Sequence, residues 1–66
     1  MKVDYFEDTD TLYLVLSEQE PVETKEISEN ILVDVDQTGK VVSLTIEHAR
    51  QQEESFDISY RLVGAK

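Results

Sequence analysis

Apolar and polar residues alternate with a period of two along most of this chain, the spacing of strands whose successive side chains face opposite ways. In the opening stretch Met1, Val3 and Tyr5 share one face. Residues 7–10 then supply acidic and hydroxyl side chains suited to a turn. The run LYLVL puts Leu12, Leu14 and Leu16 on one face and Tyr13 and Val15 on the other. Pairing Phe6 with Thr11 across the turn sets Tyr5 against Leu12, Val3 against Leu14 and Met1 against Leu16. One register thus aligns all the apolar positions, as a hairpin requires. The second strand is apolar on both faces, which predicts a central place in a sheet.

The next strand, VETKEIS over residues 22–28, carries Glu23, Lys25 and Glu26 between Val22 and Ile27. Charge of this kind suits an edge, where it discourages further pairing. Residues 31–35 place Ile31, Val33 and Val35 on one face. Residues 41–47 place Val42, Leu44 and Ile46 on one face and Val41, Ser43 and Thr45 on the other. The stretch HARQQEES, residues 48–55, is rich in helix formers, but at about two turns it cannot stand alone. FDISYRLV, residues 56–63, returns to alternation and reads as a final strand, and the terminal GAK is expected to fray. The expected fold is α+β and mostly β. One antiparallel-rich sheet of five or six strands carries one short helix near residues 48–55, all within a single small domain over residues 1–66.

The stretch DVDQTG, residues 34–39, opens like a calcium-binding EF-hand loop. Such a loop takes oxygen ligands at positions 1, 3 and 5, glycine at 6 and a bidentate glutamate at 12. Asp34, Asp36, Thr38 and Gly39 match the first four, but the twelfth position is Thr45 and both flanks are β-branched strand formers. A hairpin explains more. Gln37, Thr38 and Gly39 make a three-residue loop with glycine at the left-handed position. Asp36 then opposes Lys40, Val35 opposes Val41 and Leu32 opposes Leu44. A weak calcium site on Asp34 and Asp36 would need ligands from a second chain.

With 66 residues and no cysteine, disulfides and thiolate metal sites are excluded. One histidine, His48, excludes a histidine-rich metal site within the chain. Small domains have a thin margin of stability, and oligomerisation is the remaining way to widen it. Fifteen acids against six bases give a formal charge of −9, which argues against nucleic acid and anionic membranes as partners. The N-terminal stretch has no signal-peptide pattern and no apolar run spans a bilayer, so the expected location is cytoplasmic.

Little reactive chemistry is visible. No serine sits in an elbow-like glycine context beside His48, and two glycines cannot build a phosphate loop. The paired acids lie in turns, where water keeps both members ionised, whereas acid–base catalysis needs one of them desolvated. Asp34 is the exception: it is placed on the face of Leu32, Val42 and Ile46, partly buried and hydrogen-bonded.

Two segments carry a family resemblance. VDYFEDTDTLYLVLS, with Tyr5, Asp10, Leu12 and Tyr13, resembles the opening of the prokaryotic family called domain of unknown function 2283. ILVDVDQTGKVVSLTIEHA resembles its second half, through Val33, Asp34, Asp36, Gly39, Val41, Val42, Ile46, Glu47 and Ala49. The usual tyrosine–aspartate–proline opening is altered here to Tyr5-Phe6-Glu7. The resemblance covers roughly residues 1–50 and implies a small β-rich protein without assigned activity. Through the toxin-like or ribonuclease-like neighbours of such genes, it also implies an antitoxin-like role.

The leading expectation is a non-enzymatic, acidic interaction module with no cofactor. It would be a homodimer that engages a basic protein through Asp8, Asp10, Asp34, Asp36 and Glu47. The alternatives are a small metal-binding protein or enzyme built on acid pairs across a dimer interface, and a structural homo-oligomer.

Overall fold

The computed structural model describes residues 1–52, 59 and 61–64. Its strands are β1 (Lys2–Phe6), β2 (Thr11–Val15), β3 (Glu23–Ser28), β4 (Ile31–Val35) and β5 (Val41–Glu47). They form one antiparallel sheet in the order β1-β2-β5-β4-β3. Two hairpins, β1–β2 and β3–β4, thus flank β5, which pairs with β2 and β4. The first hairpin has the expected register, with Phe6 opposite Thr11, Tyr5 opposite Leu12 and Val3 opposite Leu14. β2 lies inside the sheet, and the charged β3 forms one edge.

The expected helix is overturned: the described residues are all-β. After β5 the chain makes a single 3-10 turn over Arg50–Gln52. His48 has a φ of 57°, a left-handed backbone that interrupts a right-handed helix at its start. Residues 48–52 also lack an apolar stripe, and a short helix without packing does not hold. Residues 53–55 of the expected helix lie outside the described residues, as do 56–58 and 60 of the expected final strand. Ser59 and residues 61–64 are described and belong to no strand.

Register places Tyr5, Leu12, Ile46 and Ile31 in one row across four strands, and Val3, Leu14, Leu44 and Val33 in the next. Both rows lie on the same face. The opposite face carries Asp4, Tyr13, Thr45 and Leu32 in one row and Lys2, Val15, Ser43 and Asp34 in the other. Two irregularities shift these rows. Ile27 is an extra residue in β3 between Glu26 and Ser28. Val42 is an extra residue in β5, because Asp34 pairs with Ser43 while Val35 pairs with Val41. This second bulge corrects the expected register: Leu32 opposes Thr45, and Leu44 opposes Val33. Among the described residues the fully buried set is small: Val35, Val42, Ala49 and the hydroxyl-bearing Ser43, which is only 1% exposed.

Candidate functional site

Three of the five candidate acids are held by their own chain. Asp36 begins the β4–β5 turn, and its Oδ1 accepts bonds from the Thr38 hydroxyl (2.6 Å) and the backbone N–H groups of Thr38 (2.9 Å) and Lys40 (3.0 Å). The Asp36 N–H donates to the Lys40 carbonyl and the Gly39 N–H to the Asp36 carbonyl, both at 2.9 Å. Gly39 takes the left-handed conformation, φ 89°, as the three-residue hairpin loop requires. The Thr38 hydroxyl first, and the Lys40 N–H next, lower the Asp36 carboxyl below its ordinary value.

Asp34 stands in the middle strand of three. The Thr24 hydroxyl on β3 donates to its Oδ1 at 2.5 Å, and the Ser43 hydroxyl on β5 donates to its Oδ2 at 2.7 Å. These two bonds, Thr24 first, lower the Asp34 carboxyl. Asp34 is half-buried and hydrogen-bonded as expected, but its companions differ. It shares its face with Leu32, Ser43 and Thr45, and the bulge at Val42 puts Ile46 on the other side. Asp34 and Asp36 are thus engaged by different partners and do not converge as a calcium loop demands. Among the described residues no group of three or more histidine, aspartate or glutamate side chains could hold a metal.

Asp10 closes the β1–β2 turn with a φ of 58°, a conformation that aspartate tolerates better than most residues. Its Oδ1 accepts the Tyr5 hydroxyl at 2.6 Å and the Arg50 N–H at 2.9 Å, while its carbonyl accepts the Ala49 N–H at 3.0 Å. The Arg50 guanidinium lies 5.3 Å from the centre of the Tyr5 ring, within cation–π range. One shared hydrogen bond raises the Tyr5 phenol above its ordinary value and lowers Asp10. Asp10 therefore ties the first hairpin to the chain leaving β5.

That tie joins the two segments marked out in the sequence, since Tyr5 and Asp10 come from one and Ala49 from the other. The sequence profile of the family described as protein of unknown function (DUF2283) matches residues 2–50. The chain belongs to that family. The match spans all five strands and the residues of the Asp10 tie. No curated protein and no solved structure matches the chain.

The remaining candidates, Asp8 and Glu47, are exposed. Asp8 lies in the β1–β2 turn and Glu47 ends β5 beside Thr11, so both occupy the same end of the sheet. The antiparallel order brings Glu7 and Glu29, also exposed, to that end. Asp36 lies at the opposite end and Asp34 within the sheet. Thr24, Ser43, Tyr5 and the N–H groups of residues 49 and 50 were not foreseen as partners of these acids. The alternation did place Thr24 and Ser43 on strands beside Asp34, but the Val42 bulge decides that Ser43 faces it. Among the described residues no helix is long and apolar enough to cross a membrane.

Proposed function

We propose that this DUF2283 protein is a non-enzymatic, acidic protein-interaction module. The division of its acids carries this reading. Asp10, Asp34 and Asp36 accept bonds from their own chain and are all held below the ordinary carboxylate range. A proton-transferring pair needs one carboxyl pushed up, and none of these is. Glu7, Asp8 and Glu29 sit exposed together at one end of the sheet. Such a concentration of one sign attracts a basic surface and speeds its encounter. The finer form of the proposal is an antitoxin-like partner of a small basic toxin or ribonuclease.

Native mass spectrometry of tagged protein recovered gently from its own host tests this. The expected species contains the chain and a small basic protein, and the double variant Asp8→Lys, Glu47→Lys releases that protein. Recovery with nothing attached, or a complex indifferent to the reversal, overturns the proposal.

A further inference from the structure

We infer that β1 is a pairing edge for a second copy of this chain, joined to it antiparallel about a two-fold axis at Val3. Among the described residues, β1 and β3 are the edges of the sheet. An edge strand presents backbone N–H and C=O groups to any further strand. β3 is guarded: it carries Glu23, Lys25 and Glu26, and the extra residue Ile27 breaks its ladder. β1 pairs with β2 without a bulge. Its sequence, KVDYF, holds one lysine and one aspartate, so the strand is neutral in a chain of net charge −9.

Backbone alternation decides which groups face outward. The Leu16 N–H donates to the Val42 carbonyl at 2.8 Å, and these two residues continue the register of Leu14 opposite Leu44. Directly opposed antiparallel residues alternate between bonded and non-bonded pairs. Leu12 and Leu14 therefore bond to β5, while Tyr13 and Val15 turn to β1 and bond to Asp4 and Lys2. Val3, between these two, turns its N–H and C=O to the outer edge. Side chains then choose the register. An axis on Lys2 or on Asp4 opposes like charges, which is destabilising. An axis on Tyr5 sets Asp4 against Phe6, and one on Phe6 sets it against Asp8. An axis on Val3 alone sets Lys2 opposite Asp4 of the second copy, twice, with valine against valine between them. The Lys2 Nζ already lies 3.8 Å from Asp4 Oδ2 on the same face, so each charge gains a second partner. The strand is thus its own complement, and for that reason the occupant is a second copy and not an unrelated strand. The axis stands perpendicular to the sheet, so the row Val3, Leu14, Leu44 and Val33 runs on into the same row of the second copy. Stable interfaces remove about 1,000 Å² or more, and a single strand-to-strand contact is small by that measure, so the dimer is expected to dissociate on dilution.

Two measurements on the full chain test this. The protein has no cysteine, so a single introduced cysteine can form a disulfide only with its own copy, and only where it lies close to the axis. Val3→Cys places the two Cα atoms about 5.5 Å apart, within the span of a disulfide. Mild oxidation is expected to cross-link Val3→Cys and to leave Thr24→Cys, on the exposed β3, a monomer. Sedimentation equilibrium then reads the charges. The wild type is expected to reach twice 7.6 kDa as concentration rises. Lys2→Glu turns two attractive pairs repulsive and should weaken the dimer about tenfold. Lys40→Glu makes the same change in net charge at the exposed β4–β5 turn and should leave it nearly unchanged. The exchange Lys2→Asp with Asp4→Lys should restore it, and circular dichroism checks that each variant keeps its strands. A folded wild-type monomer at all concentrations overturns the inference. So does cross-linking through Thr24→Cys but not Val3→Cys, or a dimer that Lys2→Glu and Lys40→Glu weaken equally. Asp8→Lys with Glu47→Lys leaves this contact in place, so failure of the partner reading is distinguishable from failure of this one.

Discussion

Asp34 shows how a carboxylate is kept within a sheet by hydroxyls alone. Ser43 is 1% exposed, so its hydroxyl has no access to water if the carboxylate is lost. Removing it with Ser43→Ala should cost on the order of 1 kcal/mol, because a hydrogen bond to a charged group is lost in a part-buried place. Thr24→Val should cost less, since the Thr24 bond lies at the exposed edge and water replaces it. The pH dependence has a defined sign. The folded Asp34 carboxyl lies below its unfolded value of 3.8. Its contribution is therefore complete above about pH 4 and is lost as pH falls through the lower folded value. The stability gap between wild type and Thr24→Val, Ser43→Ala should be constant near pH 7 and close in acid. Urea melts at several pH values measure it, and a gap that widens in acid would contradict this assignment. Tyr5 works in the opposite sense, with its phenol raised by Asp10, so its contribution is lost as pH rises past 10.

The elements divide into those specified locally and those that depend on neighbours. The β4–β5 turn is local. Gly39 has a φ of 89° and no atom within 4 Å of where a side chain would begin, so only backbone conformation opposes a substitution there. Gly39→Ala should cost about 1 kcal/mol, and Gly39→Asn less, because asparagine enters the left-handed region more readily. Thermal melts of the two variants give the order, and equal losses would point to contacts instead. Alternation and turn chemistry made the two hairpins legible, down to the register of β1 with β2. The bulge at Val42 was not legible, because Val41 and Val42 are both apolar and the pattern reads through them without interruption. It displaced the expected Leu32–Leu44 pairing by one residue and changed the companions of Asp34. Residues 48–52 do not begin the expected helix for a related reason. Propensity favours it, but the backbone is captured at Ala49 and Arg50 by Asp10, some forty positions away in the chain.

At the scale of the whole molecule, excess negative charge opposes a thin sheet with few buried residues. Counter-ions screen that repulsion, so raising sodium chloride from about 10 mM to about 500 mM should raise the melting temperature by several degrees. A melting temperature independent of salt would mean that the acids are too far apart, or too well compensated locally, to matter. The candidate acids were legible as residue types and as a surplus. Their sorting was not, since the same sequence signal marked Asp8 in the exposed turn and Asp10, Asp34 and Asp36 in structural bonds. That distinction depends on which backbone and hydroxyl groups lie opposite each carboxylate.

The sequence by itself determined the strands, the two hairpin turns, the charged edge and the family resemblance, because these follow from period-two patterning, turn residues and short-range spacing. Tertiary structure alone decided that β5 pairs with β2, that Val42 bulges and that Asp10 clasps the chain after β5. The β2–β5 pairing and the Asp10 clasp join residues far apart in the chain, and the bulge depends on how β4 and β5 settle against each other, so in each case the preference of any single residue is small and the sum of contacts chooses.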